Sequence, residues 1–257
     1  MIRKCAEVDR KTLLEYLYRD SCLNLFFIGD IHNFGFESDF QHVFMEEENG
    51  EIISVYLVYR DNMCLQSYNG RLDRLFAEKL LREYEVNNIS GETALLEKYD
   101  FSSFGCSTYC HFASLSDPCE VSDDGLVKRL GAEDVSQILE LSNSVFALNT
   151  RSRDSIMEKF ETQSGRYYGI KVNDKLVSLA STTAECEGLA MIVGVGTDED
   201  YRGRGYASKV VGRLSNDLLK EGKMPCLFYV NPAAARIYKK LGYRDIGNWT
   251  IIRKGEE

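Results

Sequence analysis

The segment Ile192–Ala207, IVGVGTDEDYRGRGYA, constrains the fold and chemistry of this chain more than any other. An apolar run with strand character leads straight into a turn holding Arg202, Gly203, Arg204 and Gly205, and a helical pattern begins at once after it. Glycines let a backbone wrap closely with its N–H groups turned inward. A helix start adds unpaired donors and a partial positive charge. Two arginines beside such a turn complete a socket for a pyrophosphate. The segment therefore points to a layered α/β fold that holds a phosphorylated carrier.

Two familiar phosphate motifs fail here. Gly194 and Gly196 follow a strand in the Gly-x-Gly manner of a dinucleotide fold, but the third glycine position is Glu199. No Gly-Lys-Ser/Thr closes the turn, which excludes a P-loop. What remains is Arg202-x-x-Gly205-x-Ala207 after a strand. A second segment starts 24 residues after Ala207: Asn231-Pro-Ala-Ala-Ala235-Arg-Ile-Tyr238-Lys-Lys-Leu-Gly242-Tyr243. Asn231 reads as a helix cap, Pro232 as the first helical residue and Gly242 as the stop.

Together the two segments resemble the acyl-CoA-binding region of the GNAT superfamily of N-acetyltransferases. Its pattern there is Gln/Arg-x-x-Gly-x-Gly/Ala, followed by Asn-x-x-Ala-x-x-x-Tyr-x-x-x-Gly-Phe/Tyr. The resemblance is specific over roughly residues 165–253. The run Asn24–Asp30 looks like the first half of bacterial tandem members, whose second copy usually keeps the cofactor site. The resemblance implies backbone pairing of Val195 and Thr197, with Gly196 between them, to the pantetheine arm. It implies that N–H groups from Arg202 through Gly203, Arg204, Gly205 and Tyr206 to Ala207 cradle the pyrophosphate. The Val195 N–H would donate to the developing oxyanion, a contact typically worth ~10²–10³ in rate. Asn231 would touch the carrier near the pantetheine, and Tyr238 would reach the sulfur as general acid. Each residue has a plainer role open to it: turn glycines, solvated arginines, a capping Asn231 and a core Tyr238.

Composition agrees with a globular protein. The 257 residues are 44% apolar and 28% charged, enough for two cores. No charged-then-apolar leader and no long apolar run is evident, so a cytoplasmic location without membrane contact is expected. Eight cysteines form no CxxC pair and read as free thiols in a reducing compartment, with no metal site. Residues 1–120 hold 11 Lys and Arg against 21 Asp and Glu, while the remainder holds 20 against 19. No basic, aromatic-interleaved stripe suggests a nucleic-acid partner. The acidic half favours a cationic acceptor, or simply solubility.

The chain reads as a diverged duplication at an offset of 124 residues. Leu14 and Leu17 correspond to Ile138 and Leu141, and the turn at Asn49 to that at Asn173. The expected organisation is a degenerate acetyltransferase-like domain over 1–115, a linker over 116–126, and an acetyl-CoA-binding domain over 127–257. Each is expected as a mixed, mostly antiparallel sheet flanked by helices. The second half reads as helices near 132–147 and 152–162, a hairpin at 167–172/176–183 and a strand at 189–197. A helix at 206–220, a strand at 226–230, a helix at 232–241 and a last strand near 245–253 complete it.

The implied activity is transfer of an acetyl group from acetyl-CoA, as co-substrate, to a primary amine on a small molecule or peptide, by direct attack in a ternary complex. Alternatives are a non-catalytic acyl-CoA-binding module, or transfer of a longer acyl or an aminoacyl group. No base stands out. All three histidines lie in the first half, and Glu185 and Glu187, in the turn before the central strand, are either bases acting through water or solvated turn residues. Tyr167, Tyr168 or a water chain are further options.

Overall fold

The computed structural model describes residues 1–121, 124–146 and 152–255. They divide into two compact units, Met1–Phe112 with Ile246–Glu257, and Ala113–Asp245. The first runs β1 (Ile2–Lys4), α1 (Arg10–Leu17), α2 (Leu25–Phe34), β2 (Gln41–Glu48), β3 (Glu51–Tyr59), β4 (Asn62–Gln66), α3 (Arg74–Glu83), β5 (Asn88–Glu92), α4 (Thr93–Leu96) and β6 (Gly105–Ser114). The second runs β7 (Val127–Leu130), α5 (Val135–Val145), α6 (Arg153–Glu161), β8 (Tyr167–Val172), β9 (Lys175–Cys186), β10 (Leu189–Thr197), α7 (Tyr206–Lys220), β11 (Met224–Tyr229) and α8 (Pro232–Lys240). The last strand, β12 (Arg244–Lys254), lies beside β5, with Trp249 opposite Glu92 and Arg253 opposite Asn88. Residues 246–257 thus group with the first unit, whereas the sequence reading put them in the second. Residues 113–121, read partly as linker, group with the second unit.

The strand order is β1-β2-β3-β4-β5-β12-β6 in the first unit and β7-β8-β9-β10-β11 in the second. Strands β1 to β4, β5 with β12, and β7 to β10 pair antiparallel, whereas β4 with β5 and β10 with β11 are parallel. This is the tandem, layered α/β fold expected.

The duplication is visible in backbone detail. Asn49 and Gly50 turn the β2–β3 hairpin at φ +52° and +82°, and Asn173 and Asp174 turn β8–β9 at +48° and +61°. Positive φ at both central residues is what two-residue hairpin turns require. Asp9 accepts the Ala6 N–H at 2.8 Å, and Asp134 accepts that of Gly131 at 2.9 Å. Neither pair was part of the sequence match.

In the second unit the sheet is covered on both faces. Val210, Val211, Leu214 and Leu218 of α7 pack with Ile192, Leu227 and Tyr238. On the other face Val135, Ile138 and Leu141 of α5 and Ile156 of α6 pack with Tyr167, Leu176 and Leu179. Those four residues of α7, on one face of an amphipathic period, are all fully buried, while Ala207 on the same face is half-buried.

Candidate active site

Strand β10 is the element on which the site is built. It pairs with β11 only over its first four residues, Leu189–Ile192 against Met224–Leu227. From Val193 to Thr197 it pairs, among the described residues, with β9 alone, through Val193–Ser181, Gly196–Leu179 and Thr197–Ser178. The β11-facing edge of those residues is therefore a free strand edge among the described residues, the geometry to which an extended chain adds by backbone pairing.

A bulge sits at the same place. Gly194 and Val195 together oppose a single residue of β9, and Gly194 has φ +60°. Two buried serines of β9 support the distortion: Ser181 Oγ donates to the Val193 carbonyl at 3.1 Å and Ser178 Oγ to that of Gly196 at 3.2 Å. Thr197 Oγ1 lies 2.9 Å from Ser178 Oγ. A Cβ on Gly196 would come within 2.9 Å of Val145 Cγ1 and 3.1 Å of Phe146 Cζ, so the end of α5 rests directly on the strand.

The turn after β10 opens toward solvent. Asp198 caps a 3-10 turn over Glu199–Tyr201, its carboxylate accepting the Asp200 N–H at 3.1 Å and the Lys175 ammonium at 2.7 Å. Gly203 and Gly205 are left-handed, at φ +76° and +77°, and a Cβ at either would meet nothing within 4 Å. Gly205 caps α7 and offers no side-chain acceptor. Among the described residues, the N–H groups from Gly203 to Ser208 find no acceptor. Such a concave row of free donors at a helix start suits an anion.

Some expected roles shift by a residue. The Arg202 N–H is spent inside the turn on Glu199 O at 3.3 Å, so the row starts at Gly203. It extends one position past Ala207, to Ser208, which the sequence reading omitted. Helical numbering alone would have found it, since the third residue of a helix is also unpaired. The arginine side chains fold back on the turn: Arg202 Nε donates to Thr197 O at 3.2 Å, and Arg204 to Asp200 O at 3.2 Å while lying 5.0 Å above the Tyr201 ring.

Asn231 takes its plainer role, accepting the Ala234 N–H at 2.7 Å as cap of α8. Its side chain is exposed beside the end of β11. Tyr238 is 6% exposed and packs its ring 5.9 Å from those of Tyr229 and Tyr243. Its hydroxyl makes no hydrogen bond among the described residues. Burial pushes its acidity constant up to about 12, so the phenol keeps its proton at neutral pH. Val195 and Tyr206 pack against the same cluster as Tyr238.

The base options Glu185 and Glu187 lie at the wrong end of β10. Both sit where β9 turns into β10, seven or more residues from Val195, a separation on the order of 20 Å along a strand. Glu185 is moreover locked in a buried ion cluster, with Arg166 at 2.9 and 2.6 Å and Lys223 at 2.8 Å. Burial alone would raise its acidity constant, but Arg166, Lys223 and Thr182 hold it below the ordinary carboxylate range. Tyr167 is buried against Phe160, and the Tyr168 hydroxyl donates to Asp217 at 3.0 Å. Glu185 is therefore a structural ion, and neither tyrosine is free to take a proton.

Comparison with known proteins agrees with this architecture. The family model described as GNAT acetyltransferase matches residues 125–252. A GNAT-family protein from Novosphingobium aromaticivorans is 24% identical over 59% of this chain and 66% of its own, just under two thirds, with a TM-score of 0.51. A GCN5-related N-acetyltransferase-like protein from Streptococcus suis superposes over 96% of this chain and 99% of its own at 17% identity, with a TM-score of 0.63. A tandem GNAT protein from the clavulanic acid biosynthesis pathway covers 100% and 99% at 13% identity, with a TM-score of 0.57. No curated protein sequence matches significantly. Among the described residues no helix is long and apolar enough to cross a membrane. The chain belongs to the GNAT acetyltransferase superfamily, with the fold of its tandem members.

Proposed function

We propose that the protein transfers an acetyl group from acetyl-CoA to a primary amine by direct attack in a ternary complex, in the second unit. One observation carries the reading: a free β10 edge over Val193–Thr197 runs directly into the unpaired N–H row of Gly203–Ser208. An extended arm ending in a diphosphate matches both at once. With the diphosphate at the turn, the arm runs back along Thr197 and Val195 toward the point where β10 and β11 rejoin at Ile192 and Leu227. That junction is buried, at 2% and 1% exposure, which favours a short acyl group.

The Val195 N–H is assigned to the developing oxyanion and Tyr238 to the leaving sulfur. A phenol held near 12 is a weaker acid than a free thiol of ~8.5, so Tyr238 gives up its proton only as the C–S bond breaks. The amine must also be freed: with a pKa of ~10.4, deprotonating it near pH 7 costs ~4 kcal/mol. The acidic balance of residues 1–120 favours a cationic acceptor, a small molecule or a peptide.

Calorimetry with coenzyme A and acetyl-CoA consumption against a panel of amines test the proposal together. Binding with turnover of at least one amine is the expected result. Binding without turnover of any amine favours a non-catalytic acyl-CoA-binding module instead. A series of acyl-CoA lengths separates acetyl from longer groups, and the rate is expected to fall as the chain grows.

A further inference from the structure

The amine must lose a proton, and neither glutamate that the sequence brought forward can take it. The structure offers another carboxylate, sixteen residues beyond the end of β11. Tyr229 is the last residue of β11. It stands two residues past Leu227, the last β11 residue paired with β10, where the two strands part. Its ring lies 5.9 Å from that of Tyr238 and belongs to the same buried cluster as Ile192 and Leu227, with Val195 packed against it. Its hydroxyl donates to Asp245 Oδ1 in a short hydrogen bond. Lys239 holds the other carboxylate oxygen at 3.3 Å, and Tyr238 is a further titratable group beside the ring.

Resting on the proposed acyl-CoA site, we infer that Tyr229 and Asp245 form the proton relay for the acceptor amine. The acceptor ammonium gives a proton to the Tyr229 oxygen as the Tyr229 hydrogen moves to Asp245 Oδ1. The freed nitrogen lone pair then forms the C–N bond to the thioester carbon. The C–S bond breaks, and the sulfur takes a proton from Tyr238. A second proton leaves the nitrogen for solvent as the amide forms, Asp245 returns its proton to solvent, and Tyr238 is reprotonated from solvent. Lys239 faces the carboxylate, and the phenol is the group that would link it to the acceptor. Position explains why no histidine or strand glutamate is needed.

Asp245→Asn, Asp245→Glu and Tyr229→Phe test the relay, each assayed with acetyl-CoA and the amine that the wild-type protein turns over fastest in the panel. Asp245→Asn and Tyr229→Phe should each lower kcat by about 10²-fold, within the usual range for general bases. Coenzyme A affinity by calorimetry should stay within twofold. The rate of Asp245→Asn should climb with pH as free amine accumulates and approach the wild-type rate near pH 10, while Asp245→Glu restores part of the rate at pH 7. A loss that high pH does not recover, or one that follows coenzyme A affinity, would show a structural pair and overturn the inference. Undiminished turnover in Asp245→Asn would overturn it equally. If the wild-type protein itself binds no coenzyme A, the site assignment fails first, an outcome the calorimetry separates from failure of the relay.

Discussion

The two units carry the same strand–turn–helix junction in opposite states of completion. In the first, β4 pairs with β5 through Leu65, one residue short of its end. The turn that follows closes on itself. Arg71 N–H donates to Asn69 Oδ1 at 3.0 Å, Leu72 N–H to the Tyr99 hydroxyl at 2.6 Å, Asp73 N–H to the Tyr56 hydroxyl at 2.8 Å and Phe76 N–H to Asp73 Oδ1 at 2.9 Å. In the second unit β10 leaves β11 after four of its nine residues, and the N–H row from Gly203 to Ser208 ends in no protein acceptor. One copy has filled its donors with its own side chains; the other holds them open at a helix start. The fold was duplicated, but the capacity to bind a diphosphate depends on residues a fold leaves unconstrained.

The largest test of that contrast sets one glycine of each turn against the other. Gly205→Glu should lower coenzyme A affinity by 10³-fold or more, placing a carboxylate where the diphosphate is proposed to sit. Gly70→Glu should leave affinity unchanged. Both glycines are left-handed, at φ +77° and +72°, so backbone strain of about 1–2 kcal/mol is common to both variants. At Gly70 the nearest atom is the mobile Lys98 Nζ. Equal losses in calorimetry would erase the functional difference between the junctions.

A second, smaller effect separates the two ends of β10. Glu185→Gln strips the more deeply buried of two ionised partners from Arg166, whose pKa is raised by Glu221 and Glu185. Breaking a buried pair of this kind costs about 3 kcal/mol, so the melting temperature should fall by several degrees. Because Glu185 is held below its ordinary value, the stability it contributes is present above about pH 4.5 and is lost as pH falls through its folded value. The wild-type and variant melting curves should therefore converge in acid. Turnover by the folded variant should persist, as a base at this position would not allow.

Tyr238→Phe comes next. Its ring is held by Tyr229 and Tyr243, so removal of one hydroxyl should leave the fold and coenzyme A affinity intact while kcat drops about 10- to 100-fold. A silent Tyr238→Phe would point to the core role that its burial also permits.

Much of this was legible in the residues, for identifiable reasons. The bounds of β10 and α7 follow directly from an apolar run, two glycines and an amphipathic period. Both Asn-led hairpins follow from turn chemistry that only a few residues satisfy. Local signals failed where tertiary packing decided. The aromatic-rich residues 20–36 hold the helix α2, which buries Leu25, Phe27, Ile28 and Ile31. Residues 88–92 carry no strong strand signal of their own and form β5 because β4 and β12 pair with them on either side. Placement of β12 in the first unit cannot be read from its own alternation. Glu185 looked like a turn residue because Arg166, nineteen positions away, is its partner only in the fold. Tyr229 and Asp245 were missed for the same reason.

The smallest expected effect concerns how β10 keeps its edge free. At the offset of 124, Ser181 of β9 stands where Leu57 stands in β3. Leu57 pairs with Cys64 in a regular ladder, and no hydroxyl is needed there. Ser181 is fully buried, and its hydroxyl donates to the Val193 carbonyl at the start of the bulge. Ser181→Ala should therefore cost about 1 kcal/mol of stability, the usual net value of one such bond. It should also weaken coenzyme A binding a few-fold, since the bulge sets the direction of the Val195 N–H. Denaturant unfolding and calorimetry on the same variant read both numbers. A loss of stability with unchanged affinity would mean that the edge is shaped by the glycines alone, and that the serine merely satisfies a buried oxygen.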